Sequence, residues 1–499
     1  MIEKIRSSIR QSFYYGVGNV AVKFVGLILL PIYSRKFAIE TYGLLALFEV
    51  IAEIIIAFSS LGIMGGFNRW YWDQDSQSKQ KSLFFTTMLF SILSTSIFLL
   101  ISFWVICHYS MPIFSVEIGT GLMLIYLINI LFRVILNRFL MLMQIKQLVK
   151  KQTKYVLLNM GVVLISTLFF ILKLDMSLEG IFLGQICGNL LVIILILPII
   201  LGEMEFKIEW KLLKEIVVYS YPLAISGIMS IVMTFSDRFI LKHFFTLGTV
   251  GQYSLAYKIS SLIKLFVVRS FLKSYSFKYY LEIKNEMHNK FFYKSVTYFT
   301  FVSIYSTLVL CILSGLLIKV LLKNVDYLDS LVIVPYLLIG IVLEGIRSML
   351  TMPLMKLKKT KIVSLVSIGS GLLNVILNFL IIPSMGSIGA ALTTAISKAV
   401  AVTIFLIFNK KYGYSDYEVV KYLKAFIVGA GLIYIWIIIP ELGIFLKIVI
   451  DLIILILYPV ILNLIGFFES SEIKMIKQSF TKWSKPSNII ALFKKEIGK

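Results

Sequence analysis

Charged side chains set deep in long apolar stretches are the residues of this chain best placed to do chemistry. Lys23, Lys258 and Lys398 fall near the middle of such stretches, with Arg133 and Lys264 somewhat nearer an end. Glu49 and Glu53 are four residues apart, which on a helix puts both carboxylates on one face. A charge at the centre of a bilayer costs about 2.5 to 3.5 kcal/mol on insertion scales, so these residues are expected to face a cavity or a partner rather than lipid. A surplus of positive charge there attracts an anionic group, and holds it more strongly than the same charges would in water. The chemistry predicted is binding: Lys23, Arg133, Lys258, Lys264 and Lys398 contact an anion, and Glu49 and Glu53 couple an ion or balance charge. Glu53 has two readings, as the neutralising partner of Lys23 or as a titrating group, because burial raises a carboxylate pKa while a nearby lysine lowers it. Arg138, Arg269, Arg347 and Lys447 stand within a turn or two of a stretch end, where long side chains snorkel to water. Glu344 with Arg347, and Lys447 with Asp451, read as local ion pairs.

Other chemistries find no support. Cys107, Cys187 and Cys311 lie in or at the ends of different stretches and read as small apolar residues. His108, His243 and His288 form no cluster with metal-ligand spacing, so neither a metal nor a cofactor is expected. No phosphate-binding GxxxxGK[ST] loop is present, which argues against direct ATP coupling within this chain. The formal charge of +23 is carried mostly by loop lysines and lacks the clustered basic faces of a nucleic-acid binder, so no nucleic-acid partner is expected.

The elements that must hold the buried charges are membrane helices. Apolar residues make up 59% of the chain and charged residues 15%, too few charges for a soluble protein of this length. About fourteen stretches reach the roughly 20 residues needed to cross a bilayer, from Ser12–Ser34 through Tyr42–Gly66, Ile216–Phe239, Thr249–Leu272, Val363–Pro383 and Ile388–Phe408 to Gly443–Phe467. The first holds Lys23 and is too long for a signal peptide, so it reads as a retained span. Placing both termini in the cytoplasm puts Lys4, Arg6, Arg10, Lys150, Lys151, Lys356, Lys358, Lys359, Lys361, Lys410 and Lys411 inside, as the positive-inside rule requires.

The spans repeat. Gly180, Gly184 and Gly188 of the sixth match Gly389, Thr393 and Ser397 of the twelfth at one constant offset, each a stripe of small residues that lets helices approach closely. Tyr33, Ser34, Arg35, Lys36 and Phe37 leading to Tyr42 and Gly43 are echoed by Phe235, Ser236, Asp237, Arg238 and Phe239 leading to Gly251, Gln252 and Tyr253. The expected architecture is all-α and polytopic: a six-helix lobe over residues 1–207, a second over 208–412, an additional helix pair over 413–468, and a basic amphipathic cytoplasmic tail over 469–499. The tail places Ile473, Ile476, Phe480 and Trp483 on one face, suited to an anionic lipid surface. Short loops leave no room for a catalytic domain, so the chain does not read as an enzyme. Two even-numbered lobes are expected to be related by an axis along the membrane normal and to rock so that a cavity opens alternately to each side.

Three segments carry a family resemblance. Tyr15, Gly16, Val17, Gly18 and Asn19 with Pro31, Ile32, Tyr33, Ser34, Tyr42 and Gly43 resemble bacterial polysaccharide-biosynthesis flippases. So do Ser236 to Leu241 followed by Val250 to Lys258, and Asn374 to Asn378 followed by Ile382, Pro383, Gly386, Gly389, Ala390 and Ala391. Such proteins belong to the multidrug, oligosaccharidyl-lipid and polysaccharide exporter superfamily. The resemblance implies a translocase of undecaprenyl-pyrophosphate-linked oligosaccharide repeats in the bacterial cytoplasmic membrane, serving a capsule, O-antigen or related surface glycan. Implied partners are the lipid-linked oligosaccharide, membrane lipids, a coupling proton or sodium ion, and a glycan polymerase or glycosyltransferase. Relatives that flip the peptidoglycan precursor have a cationic cavity, and Lys23 with Lys264 or Arg269 resembles its basic positions. Glu49 and Glu53 depart from that branch and favour another glycan. The alternatives are a multidrug or organic-cation antiporter of the same superfamily, a membrane-embedded glycan-assembly enzyme, and a scaffold for glycan assembly.

Overall fold

The computed structural model describes residues 25–26, 28–281, 289–321, 327–439, 443–470 and 472–473. Among these every regular element is helical, because in lipid a helix satisfies its own backbone donors and acceptors. In chain order the helices are α1 (Leu30–Lys36), α2 (Ile39–Ser60), α3 (Ile63–Tyr71), α4 (Gln77–Phe114), α5 (Thr120–Ile145), α6 (Val149–Leu172), α7 (Leu178–Leu201), α8 (Trp210–Phe244) and α9 (Leu247–Ile263). A π-helical turn at Lys264–Val268 joins α9 to α10 (Arg269–Leu281); α11 (Asn289–Leu321), α12 (Ser330–Lys356), α13 (Thr360–Lys411), α14 (Val419–Ile438) and α15 (Ile444–Leu464) follow. Ten helices among the described residues are long and apolar enough to cross a membrane. The chain is therefore a multi-pass membrane protein.

The expected spans map onto these helices with two changes. The second ends at Ser60 rather than Gly66, because Leu61 and Gly62 both take left-handed conformations (φ 43° and 65°) and start the short helix α3. The eleventh and twelfth form one 52-residue helix, α13, broken at Gly386 (φ 54°, ψ −134°) into two antiparallel limbs. The expected seventh and eighth spans lie inside α8 and inside α9 with its π turn and α10. Most of the first lies outside the described residues.

Contacts group the chain into two compact units: Met1–Ser261 with Gly315–Gly340 and Lys359–Ile404, and Leu262–Ser314 with Ile341–Lys358 and Phe405–Lys499. In the first unit α6 lies against the small-residue stripe of α7. A Cβ added at Gly184 would overlap Thr167, one at Gly188 would overlap Val163 and stand 3.1 Å from the Asn159 carbonyl oxygen, and one at Gly180 would stand 3.1 Å from Phe170. Ser166 donates to the Gly184 carbonyl at 3.0 Å, and Asn159 to Asn189 at 3.1 Å. The limbs of α13 are joined at the matching levels: Ser370 donates to the Ser397 carbonyl at 2.8 Å, Asn374 to Thr394 at 3.3 Å, and Thr393 to Asn378. A Cβ at Gly389 would meet the Ile381 carbonyl at 3.0 Å, close under the break. Thus Asn159 beside Gly188 and Thr167 beside Gly184 correspond to Ser370 beside Ser397 and Asn378 beside Thr393, a repeat visible in packing as well as in sequence.

The second unit has its own core. Phe299 fills the space left by Gly345, Ile304 that left by Gly429, and Asn409 donates to the Leu350 carbonyl at 2.9 Å. Lys294 bridges Glu469 and Glu472, each at 2.8 Å, and fastens the chain beyond α15 to α11. Burial would raise the Glu472 carboxyl, but hydrogen bonds from Lys294 and Tyr298 hold it below its ordinary range. The expected tail face at Ile476, Phe480 and Trp483 lies outside the described residues.

The break in α13 also supplies a probe of orientation. Ser384 is exposed, whereas Ser387 is buried with its hydroxyl 3.5 Å from the Thr249 carbonyl oxygen. With both termini inside, Ser384→Cys will react with a membrane-impermeant maleimide in intact cells, and Lys359→Cys only after permeabilisation. The opposite pattern would reverse the orientation.

Candidate functional site

Two short turns build the site. Phe37 and Ala38 are extended between α1 and α2, and Phe245 is extended between α8 and α9, so α2 and α9 start afresh and lean on one another. A Cβ at Gly43 would overlap the Leu247 carbonyl and stand 3.0 Å from the Gly251 nitrogen; one at Gly251 would overlap the Ile39 carbonyl and stand 3.1 Å from the Gly43 nitrogen. The contact is reciprocal, with Ile39 and Gly43 against Leu247 and Gly251, and each glycine is needed because backbone meets backbone. Tyr327 closes the same end, its ring 6.1 Å from that of Tyr42 and its hydroxyl donating to the Phe37 carbonyl at 3.3 Å.

Two turns along α9 from Gly251 comes Lys258. Its ammonium lies 5.9 Å from the Tyr42 ring centroid, within hydrogen-bonding reach of the hydroxyl. Gly26 leaves room for it, since a Cβ there would stand 3.0 Å from the Lys258 Cε. Glu49, two turns along α2 from Tyr42, is exposed, yet close enough for its charge to act on Lys258, Arg238, Tyr33, Tyr42 and Tyr126. The accessible group in this cluster is therefore a carboxylate beside a half-buried ammonium.

Beside it lies a charged pair that the sequence marks only as part of a repeated motif. Arg238 is 5% exposed and pairs with Asp237 at 3.3 Å, while Tyr253 donates its hydroxyl to the other carboxylate oxygen. The rings of Tyr257, Phe235 and Tyr253 stand 4.8, 5.1 and 5.6 Å from the guanidinium carbon. The guanidinium is thus paired and ring-caged, and its charge is offset by Asp237. The signal available in the sequence was an Asp–Arg pair inside an expected span, with Tyr253 and Tyr257 one turn apart on the next.

The other expected charges divide. Glu53 pairs with Arg133 of α5, a partner on another helix. Lys23 lies outside the described residues. Lys398 is half-buried on the second limb of α13, and Lys264 opens the π turn in the second unit. Arg269 is exposed, and Arg347 pairs with Glu344 at 2.6 Å. Lys447 does not bridge to Asp451: its ammonium stands 5.9 Å from the Trp436 ring centroid, while Asp451 accepts from the Trp436 indole at 3.0 Å, so one ring serves both charges. Arg138 does not snorkel, being 7% exposed among the helices of the first unit. Among the described residues no group of His, Cys, Asp and Glu is arranged to hold a metal ion.

Known proteins place this arrangement in a context. The family model described as polysaccharide biosynthesis protein matches residues 8–274, which span α1 to α9 and thus the whole Gly43, Glu49, Arg238 and Lys258 cluster. No curated protein sequence gives a match. The solved structure of a lipid II flippase, MurJ, in an inward closed conformation superposes with a TM-score of 0.71 at 17% identity, over 90% of this chain and 99% of that one. Inward-facing and outward-facing structures of a multidrug resistance MATE family transporter of the MOP superfamily give TM-scores of 0.62 and 0.59, each at 14% identity, over 80% and 83% of this chain and 98% and 96% of those. At these identities the likeness establishes the fold.

Proposed function

This chain belongs to the polysaccharide biosynthesis protein family, and from that premise we propose that it carries a lipid-linked oligosaccharide from the inner to the outer leaflet of the bacterial cytoplasmic membrane. The sugar repeat is joined through pyrophosphate to undecaprenol and serves surface polysaccharide assembly. Both termini lie in the cytoplasm, where a glycosyltransferase supplies the substrate; a polymerase takes it up outside. The observation that carries the reading is Lys258, a span-centred ammonium steadied by Tyr42 and balanced by the accessible Glu49.

The steps follow from the charges. Before loading, Glu49 offsets Lys258. An arriving pyrophosphate takes over the ammonium, and in weakly screening surroundings two negative groups beside one positive group favour neutralising one of them. Glu49 then takes up a proton or a sodium ion, which couples transport to an ion gradient. Only the head group leaves the aqueous side, and the lipid chain stays in the bilayer. The Gly43–Gly251 crossing closes the outer end while the substrate loads, and parts for release. No bond is made or broken, so the protein acts as a carrier rather than an enzyme.

The rival reading, an organic-cation antiporter, draws on the fold likeness and on Glu49. Against it, Arg133 neutralises Glu53, and Lys258 repels a cation from the remaining carboxylate. Proteoliposomes holding the pure protein and a fluorescent undecaprenyl-pyrophosphate oligosaccharide decide between them. The sugar is expected to become accessible to an added lectin much faster than in empty liposomes. Equal rates with and without protein would reject the reading, and export of a cationic dye in place of the sugar would support the rival.

A further inference from the structure

One buried charge has no part in this cycle. Arg138 lies on α5 about two turns before its C-terminal end and is 7% exposed. With Ile63 and Phe67 of α3, Phe84, Thr87 and Met88 of α4, and Met141 of its own helix it lines a cavity of about 10 Å³. Among the described residues it makes no hydrogen bond or ion pair, and no acidic group lies near enough to act on it. The other polar lining residue, Thr87, already donates to the Leu83 and Phe84 carbonyls at 3.0 and 3.1 Å. Five residues earlier on the same helix Arg133 has Glu53, and Arg238 has Asp237, so an unpartnered guanidinium is out of keeping with its surroundings.

A guanidinium stays charged at physiological pH and presents five donors in a planar fork. The cavity has room for about one water, which cannot satisfy that fork. The partner must come from outside the helices, and its chemistry can be read from the walls. The fork matches a phosphate in two-point contact, and the apolar lining suits a ligand with hydrocarbon next to its charge. The depth agrees. Helix α3 packs Ile63, Phe67 and Tyr71 into the core of the first unit, and Trp72 just beyond it is 61% exposed, as tryptophans at a membrane interface are. The cavity lies near the start of α4 and the end of α5, toward the span ends where lipid phosphates are met.

We propose that Arg138 binds the phosphate of a membrane phospholipid at the mouth of this cavity, with the lipid's hydrocarbon against α3 and α4. The site is separate from the Lys258 cluster, and its occupant is a resident lipid rather than cargo. Binding replaces the missing counter-charge and locks α3 to α4 and α5.

The test uses the full-length protein, delipidated in a neutral maltoside detergent. Phosphatidylglycerol is expected to raise the Tm of the wild type by about 2 °C or more, with diacylglycerol of the same chains without effect. Arg138→Met removes the unpaired charge and keeps much of the volume, so it should fold, show no phosphatidylglycerol-dependent rise, and retain one fewer lipid in native mass spectrometry. Equal stabilisation of wild type and Arg138→Met by phosphatidylglycerol would overturn the proposal, as would diacylglycerol matching phosphatidylglycerol. Inorganic phosphate producing the full rise would overturn the lipid source in favour of a soluble phosphate. Should Arg138→Met fail to fold, Arg138→Lys decides: an ammonium lacks the fork, so lipid retention weakened about fivefold or more supports the site, and unchanged retention rejects it.

Discussion

Replacing Lys258 by alanine will cut translocation of the lipid-linked sugar by about 10- to 100-fold, the worth of one hydrogen bond to a charged group, while membrane levels stay close to wild type. The expectation of normal insertion rests on the site: Glu49 is exposed, so removing the ammonium strands no buried charge, and the buried partner it leaves is the neutral Tyr42 hydroxyl. Lys258→Arg keeps the charge but presses a larger group against Gly26 and should recover part of the rate. Glu49→Gln will behave differently. It keeps the head-group site but removes the group proposed to take up the coupling ion, so downhill exchange should persist while dependence on an imposed ion gradient disappears. A Lys258→Ala protein that flips at the wild-type rate would remove Lys258 from the mechanism.

The second large effect is expected at the helix crossing. A valine at Gly43 or at Gly251 places carbon where a carbonyl oxygen now lies. Overpacking of this kind costs about 1 to 3 kcal/mol, which shifts an open–closed equilibrium by about fivefold or more toward the state in which α2 and α9 are apart. Ser254 of α9, buried at 7% exposure, then becomes accessible, and Ser254→Cys should react faster with an impermeant thiol reagent added outside. Because the contact is reciprocal, valine at either glycine should give the same change, and the two together little more than either alone. Unchanged labelling in both single variants would show that this crossing is not the outer closure.

How much of this was legible in the sequence depends on the distance over which each feature is decided. The spans were legible because apolar length is a local property. Even the break at Gly386 was foreshadowed by Pro383 and a gap between Pro383 and Ile388, although the loop shrank to one hinge residue within a helix. The short helix α3 was missed: the stretch Tyr42–Gly66 reads as uniformly apolar, and only the left-handed pair Leu61 and Gly62 ends α2 early. Charge pairing was legible where partners are neighbours in sequence, as for Glu344 and Arg347. It was not legible where they lie on different helices: Glu53 meets Arg133 across 80 residues, and nothing in the spacing of either marks the other. Arg138 shows the same limit in reverse, because distance from a span end suggested an escape to water that the packing of α3 closes off.

The hinge at Gly386 bears on how the protein is made. At about 1.5 Å per residue the 52 residues of α13 would reach some 78 Å if straight, well over twice the roughly 30 Å hydrocarbon core. The two limbs are thus committed to being one hairpin from the start of their synthesis. Pro383, Ser384, Met385, Gly386 and Ser387 at its tip carry no charge, so nothing at the tip resists passage across the bilayer during biogenesis. The limbs also bring their own polar partners, Ser370 with Ser397 and Asn378 with Thr393, so these groups arrive already paired, whereas Asn409 and Ser387 turn to Leu350 and Thr249 on other helices. The insertion machinery can then release this pair into lipid as a single finished piece, ahead of the helices that complete the chain.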